Sequence, residues 1–393
     1  MRALPFKKTV VLLLMTFILA NVAVYGAGGI TVTEKIKLVI LPGKVGTGWN
    51  MDAIDSLMAI LEEQALELGR FQLFSRSDIQ AIMKERNLSE FGVSEAIEIG
   101  KLGGSKYALL LSLEELSASW DSKNSRYNAI SRYTIRLYNV ENGELLASKF
   151  LQSSGSAKES AQKAISDALK ATAGSILSFL RETFKLEAYV KSVTGDTVML
   201  AGVDPKLARI GYIFQIETDT GVGYVKVVSY NKAEGTLVTK FMYGERPNVY
   251  DVAQEYPTLP GHGGLALSLF YGMPGLGLSV WSDAMEGTPV GFYLGLGTFL
   301  GTFGSETPVY FNIGANFKFL ELGRIGASVN AGLSILGLAD LESGRFKKYI
   351  FGLFGGGILT YEFNPQFGIF LGGGYTLYLE SESGMYVQLG VYF

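Results

Sequence analysis

The sequence contains no cysteine and a single histidine, His262. Without a thiol we expect no disulfide, no thiolate metal site, no cysteine nucleophile and no lipid carried on an N-terminal cysteine. A lone histidine excludes a histidine-rich metal centre. We therefore predict no catalytic residues, no cofactor and no metal.

An excess of positive charge is also missing, since 34 Lys and Arg face 37 Asp and Glu for a net charge of −3. A protein that tracks phosphates needs a basic surface, so we expect no nucleic-acid partner. Outside the N-terminus no apolar run reaches the length of a membrane-spanning helix. Glycine is abundant, with 49 residues, and it concentrates with Phe and Tyr after Gly261, whereas charged residues concentrate before it. Such a change in composition indicates a domain boundary.

Residues 1–26 have the features of a secretory signal peptide. Arg2, Lys7 and Lys8 form a basic start, residues 9–24 are uncharged and apolar, and small residues follow. A peptidase would cut before Ala27. The alternative is a membrane-anchor helix that stays attached.

Residues 36–183 predict an α/β domain. Residues 37–42 (KLVILP) are typical of a buried strand, and residues 54–68 carry apolar side chains at helical spacing. Asn142–Gly143 is a strong hairpin signal. Residues 161–180 predict one long helix. This order of elements predicts a sheet covered on one side by helices.

Three segments of this domain resemble a known family. They read LGRFQLFSR (68–76), NLSEFG (87–92) and IGKLGGSKY (99–107). This pattern resembles the CsgG-type periplasmic domain, which is shared by the curli secretion channel, lipoprotein activators of peptidoglycan synthases and flagellar FlgT-like proteins. The resemblance implies a periplasmic location, protein partners and self-association through this domain. It implies no enzymatic activity, because the shared motifs are structural.

Two features differ from the curli channel. That channel carries a lipidated cysteine, which is absent here, and it builds its pore from long amphipathic hairpins. In this sequence residues 117–128 predict only a short polar connection.

Residues 184–250 contain five short strand-like runs separated by Gly, Asp and Asn, which predicts a small all-β module of SH3 or OB size. The module is similar to the one that follows the CsgG-like domain in FlgT-like proteins. Residues 251–261 are predicted to be a linker, because the proline-rich segment 246–261 is typical of chain without regular secondary structure.

Residues 262–393 predict an eight-stranded antiparallel transmembrane β-barrel, since about eight segments alternate in polarity between turn signals. One face of each strand is apolar and carries no charge, and a Lys or Arg at mid-bilayer costs roughly 2–4 kcal/mol. The opposite face is rich in Gly, Ser, Asn and Tyr. Eight strands leave room only for side chains, so we expect a plugged barrel. The outward positions of one strand are Phe367, Ile369, Leu371, Tyr375, Leu377 and Leu379.

An even number of strands returns the C-terminus to the side of the N-terminal domains. We therefore predict that residues 320–324 and 364–365 are periplasmic turns and that residues 339–348 and 380–384 are outer loops. Four aromatic residues are predicted in or near the interfacial girdles: Tyr349, Tyr361, Phe363 and Trp281.

Three charged residues point inward near the periplasmic end, and we predict that Lys318, Arg324 and Glu362 form a structural ionic cluster in the lumen. The alternative role is conduction of protons or substrate. The last strand alternates up to a terminal aromatic residue, which resembles the recognition signal of the barrel-assembly machinery. The residues that form this signal are Val387, Leu389, Val391 and Phe393.

Two possible sites have simpler explanations. His262 would be the general base of a lipid-modifying barrel enzyme, but no partner for it is evident in the sequence, and a surface role is the alternative. Residues 43–48 (GKVGTG) follow a strand, as phosphate loops do, but they lack the spacing of such a loop.

The leading hypothesis is a non-enzymatic scaffold for envelope assembly or secretion. The barrel would anchor it in the outer membrane through contact with lipid, and its N-terminal domains would meet unknown protein partners in the periplasm. A second hypothesis is an oligomeric CsgG-like secretion or transport component. A third is a barrel enzyme that acts on lipid.

Overall fold

The computed structural model describes residues 29–45, 51–85, 92–257, 262–270, 273–282, 290–299, 306–340, 345–379 and 383–393. The predicted signal peptide and the second half of the glycine-rich segment 43–48 lie outside these residues. The chain divides into two compact units. We call Ala27–Pro257 the N-terminal unit and Thr258–Phe393 the barrel unit. No helix in the described ranges is long and apolar enough to cross a bilayer.

The N-terminal unit begins with a mixed five-stranded sheet of order β3-β2-β4-β5-β6. Strand β2 pairs in parallel with β3 and β4, and β4, β5 and β6 form an antiparallel meander. A separate short strand, β1 (Ile30–Val32), precedes it. The sheet strands are β2 (Ile36–Val45), β3 (Phe71–Leu73), β4 (Tyr107–Asp121), β5 (Arg126–Asn139) and β6 (Leu145–Ala157).

Helices lie on both faces of this sheet, which corrects the prediction of a single covered face. Leu38 and Ile40 pack with one cluster of buried side chains, which includes α1, whereas Val39 and Leu41 pack with another, which includes α2 and α3. Every position of these strand segments is apolar, as in strands that are buried on both sides. The helices are α1 (Met51–Leu68), α2 (Arg76–Glu85), α3 (Val93–Leu102), α4 (Ala161–Lys170) and α5 (Ala173–Thr183).

The predicted long helix 161–180 is two helices, α4 and α5. The break follows Lys170, where the Thr172 hydroxyl donates to the Leu169 carbonyl oxygen at 2.6 Å. A threonine that bonds to nearby backbone competes with helix continuation. The Asn142–Gly143 hairpin is confirmed, and Gly143 has the positive φ of 75° that its turn requires.

The segment 117–128 is not a short polar connection. Strands β4 and β5 continue through it as a paired hairpin to Asp121 and Arg126. The apolar pattern was weak there because most of the residues that pack against α4 are small, namely Ala118, Ala129 and Ala157, and Tyr127 is the one large side chain of the segment that joins them. A Cβ on Gly155 would lie 2.2 Å from the Ala168 nitrogen, so this sheet and helix approach very closely.

The small β module is a closed ring of six strands, not five. The additional strand, β12 (Val252–Tyr256), lies in the predicted linker 251–261 and pairs with β7 and β9, which corrects that prediction. Its pattern was hidden because one of its inward residues is Glu255. The other strands are β7 (Phe184–Thr194), β8 (Thr197–Ala201), β9 (Ile213–Glu217), β10 (Val222–Asn231) and β11 (Thr236–Gly244), and β1 pairs in parallel with the outer side of β7.

The barrel unit is a closed antiparallel barrel of eight strands, as the alternation predicted. Its first and last strands, β13 and β20, pair and close it. The strands are β13 (His262–Phe270), β14 (Met273–Trp281), β15 (Val290–Phe299), β16 (Glu306–Leu322), β17 (Ile325–Asp340), β18 (Arg345–Asn364), β19 (Phe367–Tyr378) and β20 (Gly384–Tyr392).

Candidate functional site: the barrel surface, its lumen and the N-terminal unit

The outer surface of the barrel is apolar along the middle of its strands. Side chains alternate on β19, where Ile369 and Leu371 are exposed while Gly368 and Phe370 are buried. The same alternation holds on β16, β17 and β20. Between the two aromatic levels, the outward positions of the described strands carry no Asp, Glu, Lys or Arg. Among the described residues, this surface exposes large apolar side chains to the surroundings on seven of the eight strands, all but β14, which a water-soluble barrel does not do.

Aromatic residues mark both ends of this apolar band. At one end the Phe363 ring lies 5.5 Å from Tyr361 and 5.6 Å from Phe367. At the other end the rings of Phe346 and Tyr349 are 5.3 Å apart. Along β18, twelve steps of ~3.4 Å at ~40° tilt separate Tyr349 from Tyr361 by about 31 Å, which is close to the thickness of a bilayer core.

The lumen is filled by tyrosine rings that stand over glycines. A Cβ on Gly277 or Gly297 would lie 2.4 Å from Tyr310 atoms, so the glycine-rich inner face makes room for these rings. The Tyr293 and Tyr378 hydroxyls lie 3.3 Å from Ser279 and Ser334. A cavity among these rings measures about 20 Å³ and has room for a water-sized group. It is lined by Ser268, Tyr293, Tyr310, Asn312, Thr376, Tyr378, Tyr386 and Gln388.

The predicted ionic residues lie at the barrel end where β16 turns into β17. The Lys318 ammonium is 3.7 Å from the carboxylate of Glu321, which the sequence did not single out. Arg324 donates to the carbonyl oxygens of Glu362 and Phe363 at 3.1 and 2.8 Å, and so fastens this turn to the end of β18. Glu362 is buried and faces inward. The structure thus brings the three residues to one end of the barrel, in structural contacts.

His262 lies at the same end, as the first residue of β13. Its ring meets Tyr392 edge to face at 5.1 Å and lies 5.6 Å from Trp281. Trp281 is 1% exposed, so it belongs to the lumen and not to the interfacial girdle predicted for it. It fits inside because Gly264 leaves space, since a Cβ there would lie 3.0 Å from the indole. Tyr349, Tyr361 and Phe363 are exposed, as predicted.

The four residues of the predicted assembly signal lie on or just after β20. Val387, Leu389 and Val391 are exposed on its outward face. Phe393 exchanges backbone hydrogen bonds with Gly263 at 2.9 Å in each direction, next to the seam between β20 and β13. Recognition by an assembly machinery stays a prediction.

In the N-terminal unit, a buried charged group joins the sheet domain to the small β module. The Glu255 carboxylate pairs with Arg70 at 2.7 Å and with Arg181 at 2.9 Å. Arg70 also donates to the Phe184 carbonyl oxygen, and the Arg181 guanidinium lies 4.4 Å from the centre of the Tyr212 ring. We call Arg70, Arg181 and Glu255 the joint. No sequence motif predicted the joint, because its three residues come from distant segments of the chain.

A patch of exposed apolar side chains lies beside the joint's strand β12. Tyr189 and Val252 are cross-strand neighbours, and both are exposed. The turn before β12 adds Val249 and Tyr250, and Tyr250 is 79% exposed with a φ of 76°. A large residue with positive φ and no packing is an unfavourable arrangement for stability alone.

The described residues contain no group of three His, Asp or Glu side chains that could hold a metal. Their ionisable groups outside the barrel are mostly in structural roles. Burial raises the pKa of Tyr133 to about 12. A hydrogen bond from Asn124 lowers the pKa of Asp121 at the β4–β5 turn.

No protein-family model and no curated protein matches the sequence. Solved structures match parts of it. The N-terminal β-barrel domain of Pseudomonas aeruginosa OprF is 18% identical, covering 34% of this chain and 95% of that chain, with a TM-score of 0.28. Lipoprotein GNA1162 from Neisseria meningitidis is 13% identical, covering 36% of this chain and 97% of that chain, with a TM-score of 0.28. A PelC dodecamer from Paraburkholderia phytofirmans is 16% identical, covering 38% and 92%, with a TM-score of 0.26.

At these TM-scores the similarities assign neither a family nor a function to this chain. The resemblance of residues 36–183 to the CsgG-type domain stays a prediction.

Proposed function

We propose that this chain is a bacterial outer-membrane protein whose barrel anchors a non-enzymatic periplasmic scaffold for envelope assembly or secretion. The observation that carries the proposal is the uncharged outer surface of a closed eight-stranded barrel, bounded by aromatic residues at both ends. Only a closed barrel or a helix satisfies all backbone polar groups in hydrocarbon. The filled lumen supports an anchor and argues against a channel through this barrel.

Membrane insertion is tested with the full chain, reconstituted in zwitterionic vesicles and washed with carbonate and urea. An inserted barrel stays with the vesicles when they float in a density gradient. Leu371→Arg, in the middle of the outward face, should reduce the inserted fraction, whereas Leu102→Arg on the surface of the N-terminal unit should not. Release of the wild-type chain by the wash would contradict the proposal.

Orientation is tested with single cysteines, which report cleanly because the chain has none of its own. Gln366 and Ser383 lie in connections at opposite ends of the barrel. A membrane-impermeant maleimide should label Ser383→Cys in intact cells and label Gln366→Cys only after the outer membrane is permeabilised. The reverse pattern would place the N-terminal unit outside the cell.

A second candidate function is an oligomeric secretion component. It is favoured by β6, a strand of 13 residues at the edge of its sheet, whose outer side no described strand pairs with. Unpaired edges of this length are templates for pairing with another chain. The mass of the detergent-purified chain by light scattering separates the two functions, because a monomer favours the anchor and a ring favours secretion.

A further inference from the structure

The small β module carries four exposed apolar side chains that neither its core nor the joint uses. Val249 and Tyr250 lie in the turn before β12, and Tyr189 and Val252 are cross-strand neighbours on β7 and β12. We call these four residues the tyrosine patch. Since a whole aromatic side chain covers about 150–250 Å², the patch exposes roughly 400 Å². Apolar patches of this size on monomers are often functional.

The turn of the tyrosine patch holds its aromatic residue in a conformation that favours glycine. The Asp251 nitrogen donates to the Asn248 carbonyl oxygen at 3.2 Å, which closes a four-residue turn around Val249 and Tyr250. Tyr250 is the third residue of this turn and has a φ of 76°, as in type II turns, where glycine is the usual residue. A tyrosine that is 79% exposed makes few packing contacts there, so folding stability does not explain this residue type.

The tyrosine patch is fixed in place by the fold. Its turn is fastened to β7 in both directions, because the Tyr250 nitrogen donates to the Val190 carbonyl oxygen at 2.8 Å and the Val190 nitrogen donates to the Asp251 carbonyl oxygen at 2.9 Å. The Tyr189 ring lies over Gly202, where a Cβ would be 2.8 Å from two ring atoms. A surface that is ordered in advance loses little conformational entropy on binding, as a recognition surface requires.

Size and charge narrow the occupant of the tyrosine patch. A stable interface between folded proteins needs about 800 Å² on each partner, about twice the area of the patch, so a second copy of this chain would find too little surface. The patch contains no charged residue, and the carboxylate of its turn, Asp251, already accepts from the Asn248 nitrogen at 2.7 Å. Ionic ligands and sugars, which depend on free polar side chains, therefore match it poorly. A short segment with apolar side chains matches it best.

The conformation of that segment follows from entropy. A short flexible peptide has to be ordered when it binds, and four side chains offer few contacts to offset that cost. A proline-rich segment is already extended before it binds, because polyproline II is its main conformation in solution. Small β modules such as SH3 domains bind such segments in aromatic-lined sites. Tyr189 and Tyr250, flanked by two valines, present an aromatic surface of this kind.

We propose that the tyrosine patch binds a short proline-rich segment of a partner protein. The proposal rests on the proposed scaffold function, which requires protein partners, and it names their chemistry. Proline rings pack on Tyr189 and Tyr250, and other apolar side chains of the segment contact Val249 and Val252. The tyrosine hydroxyls donate to backbone carbonyl oxygens of the segment. The strained conformation of Tyr250 is retained because it holds the ring where the segment binds.

The test uses the full chain in phosphatidylcholine nanodiscs and fluorescein-labelled peptides, whose binding is read by anisotropy. One peptide repeats Pro-Pro-Leu, and its flexible counterpart repeats Gly-Gly-Leu. We expect the wild-type chain to bind the proline peptide at least about tenfold more tightly than the glycine peptide. Tyr250→Gly should weaken binding of the proline peptide by at least about tenfold, as residues central to an interface do. Tyr250→Phe keeps the ring and should stay within about threefold of wild type.

Two controls separate binding from folding. Tyr250→Gly relieves the backbone strain, so this variant should lose affinity for the proline peptide without losing stability in urea unfolding. Phe150→Ser removes another exposed aromatic ring of the N-terminal unit, on β6, and should bind the proline peptide as wild type does.

Equal binding of the two peptides, or full binding of the proline peptide by Tyr250→Gly, would overturn the proposal. Competition by a chitin oligosaccharide would also overturn it and assign the patch to a glycan. A doubled mass in light scattering that Tyr250→Gly reduces to the monomer would assign the patch to a second copy. Release of the wild-type chain from zwitterionic vesicles contradicts the proposed anchor function instead, and peptide binding is then measured on the full chain in detergent.

Discussion

Tyr250 combines an exposed side chain with a backbone conformation that suits glycine. The strain is maintained by its turn, in which the Tyr250 nitrogen donates to the Val190 carbonyl oxygen at 2.8 Å and the Asn248 nitrogen donates to the Asp251 carboxylate at 2.7 Å. The left-handed region costs a non-glycine residue about 1–2 kcal/mol. An exposed tyrosine side chain makes few packing contacts, so it offsets little of this free-energy cost.

We therefore expect Tyr250→Gly to raise the free energy of unfolding of the N-terminal unit by about 1 kcal/mol. Urea unfolding of the full chain, followed by its tyrosine and tryptophan fluorescence, measures the change. Tyr250→Ala is the control, since it removes the ring and keeps the strain, and it should be close to neutral. A loss of stability in the glycine variant would mean that the ring itself stabilises the turn.

The protonation of the buried Tyr133 links pH to the stability of the N-terminal unit. Burial raises its pKa to about 12 from the ordinary value of 10.0, so the unfolded chain releases this proton first as pH rises. The contribution of Tyr133 to the free energy of unfolding is fully present below pH 10 and is lost as pH rises toward about 12. We expect Tyr133→Phe to lose less stability than wild type between these values. The exposed Tyr189→Phe is the control and should follow wild type.

At the scale of elements, the joint holds the end of α5, the residue before β3 and strand β12 in one arrangement. Glu255 and Arg70 are both fully buried in their side chains, and Arg181 is nearly so. Removing one partner of a buried ion pair leaves an uncompensated charge and costs about 3–5 kcal/mol. We expect a loss of this size for Glu255→Gln in urea unfolding of the N-terminal unit, because the fully buried guanidinium of Arg70 then has no carboxylate partner.

The matched control is Asp196→Asn, whose partner Arg246 is 2.8 Å away in an exposed pair. Exposed pairs contribute about 0–1 kcal/mol. The double variant Arg70→Met/Glu255→Gln should recover part of the loss, because the fully buried guanidinium is then removed as well. Equal, small effects of Glu255→Gln and Asp196→Asn would show that the joint does not hold the two domains together.

At the scale of the whole molecule, the barrel depends on an outer surface without charge. Leu371→Arg places a cation at the middle of β19's outward face, where it costs roughly 2–4 kcal/mol. We expect the urea midpoint of the barrel in vesicles to fall accordingly. Leu102→Arg, on an exposed residue at the end of α3, should change stability by less than about 0.5 kcal/mol. A barrel that tolerates Leu371→Arg in vesicles would not be facing hydrocarbon there.

The sequence alone determined the barrel and its two faces. Strand side chains alternate with a period of two, so Ile369 and Phe370 could be assigned to opposite faces from their order. Trp281 was misplaced because its residue type, typical of girdles, was given more weight than its position on the inward face of β14. Strand β12 was not predicted, because the buried carboxylate of Glu255 interrupts its apolar pattern. The helix break at Thr172 was not predicted, because the effect of one hydroxyl on the backbone does not change the helical spacing of the apolar residues.

Only the tertiary structure decided the features that depend on distant pairing. The joint brings together residues from three segments, and nothing in the sequence near Arg70 specifies Glu255 as its partner. The β-bulge at Lys347 follows from the register that β17 and β18 adopt together. Periodicity is a local property that a sequence displays, whereas register and long-range ion pairs arise only when the sheets close.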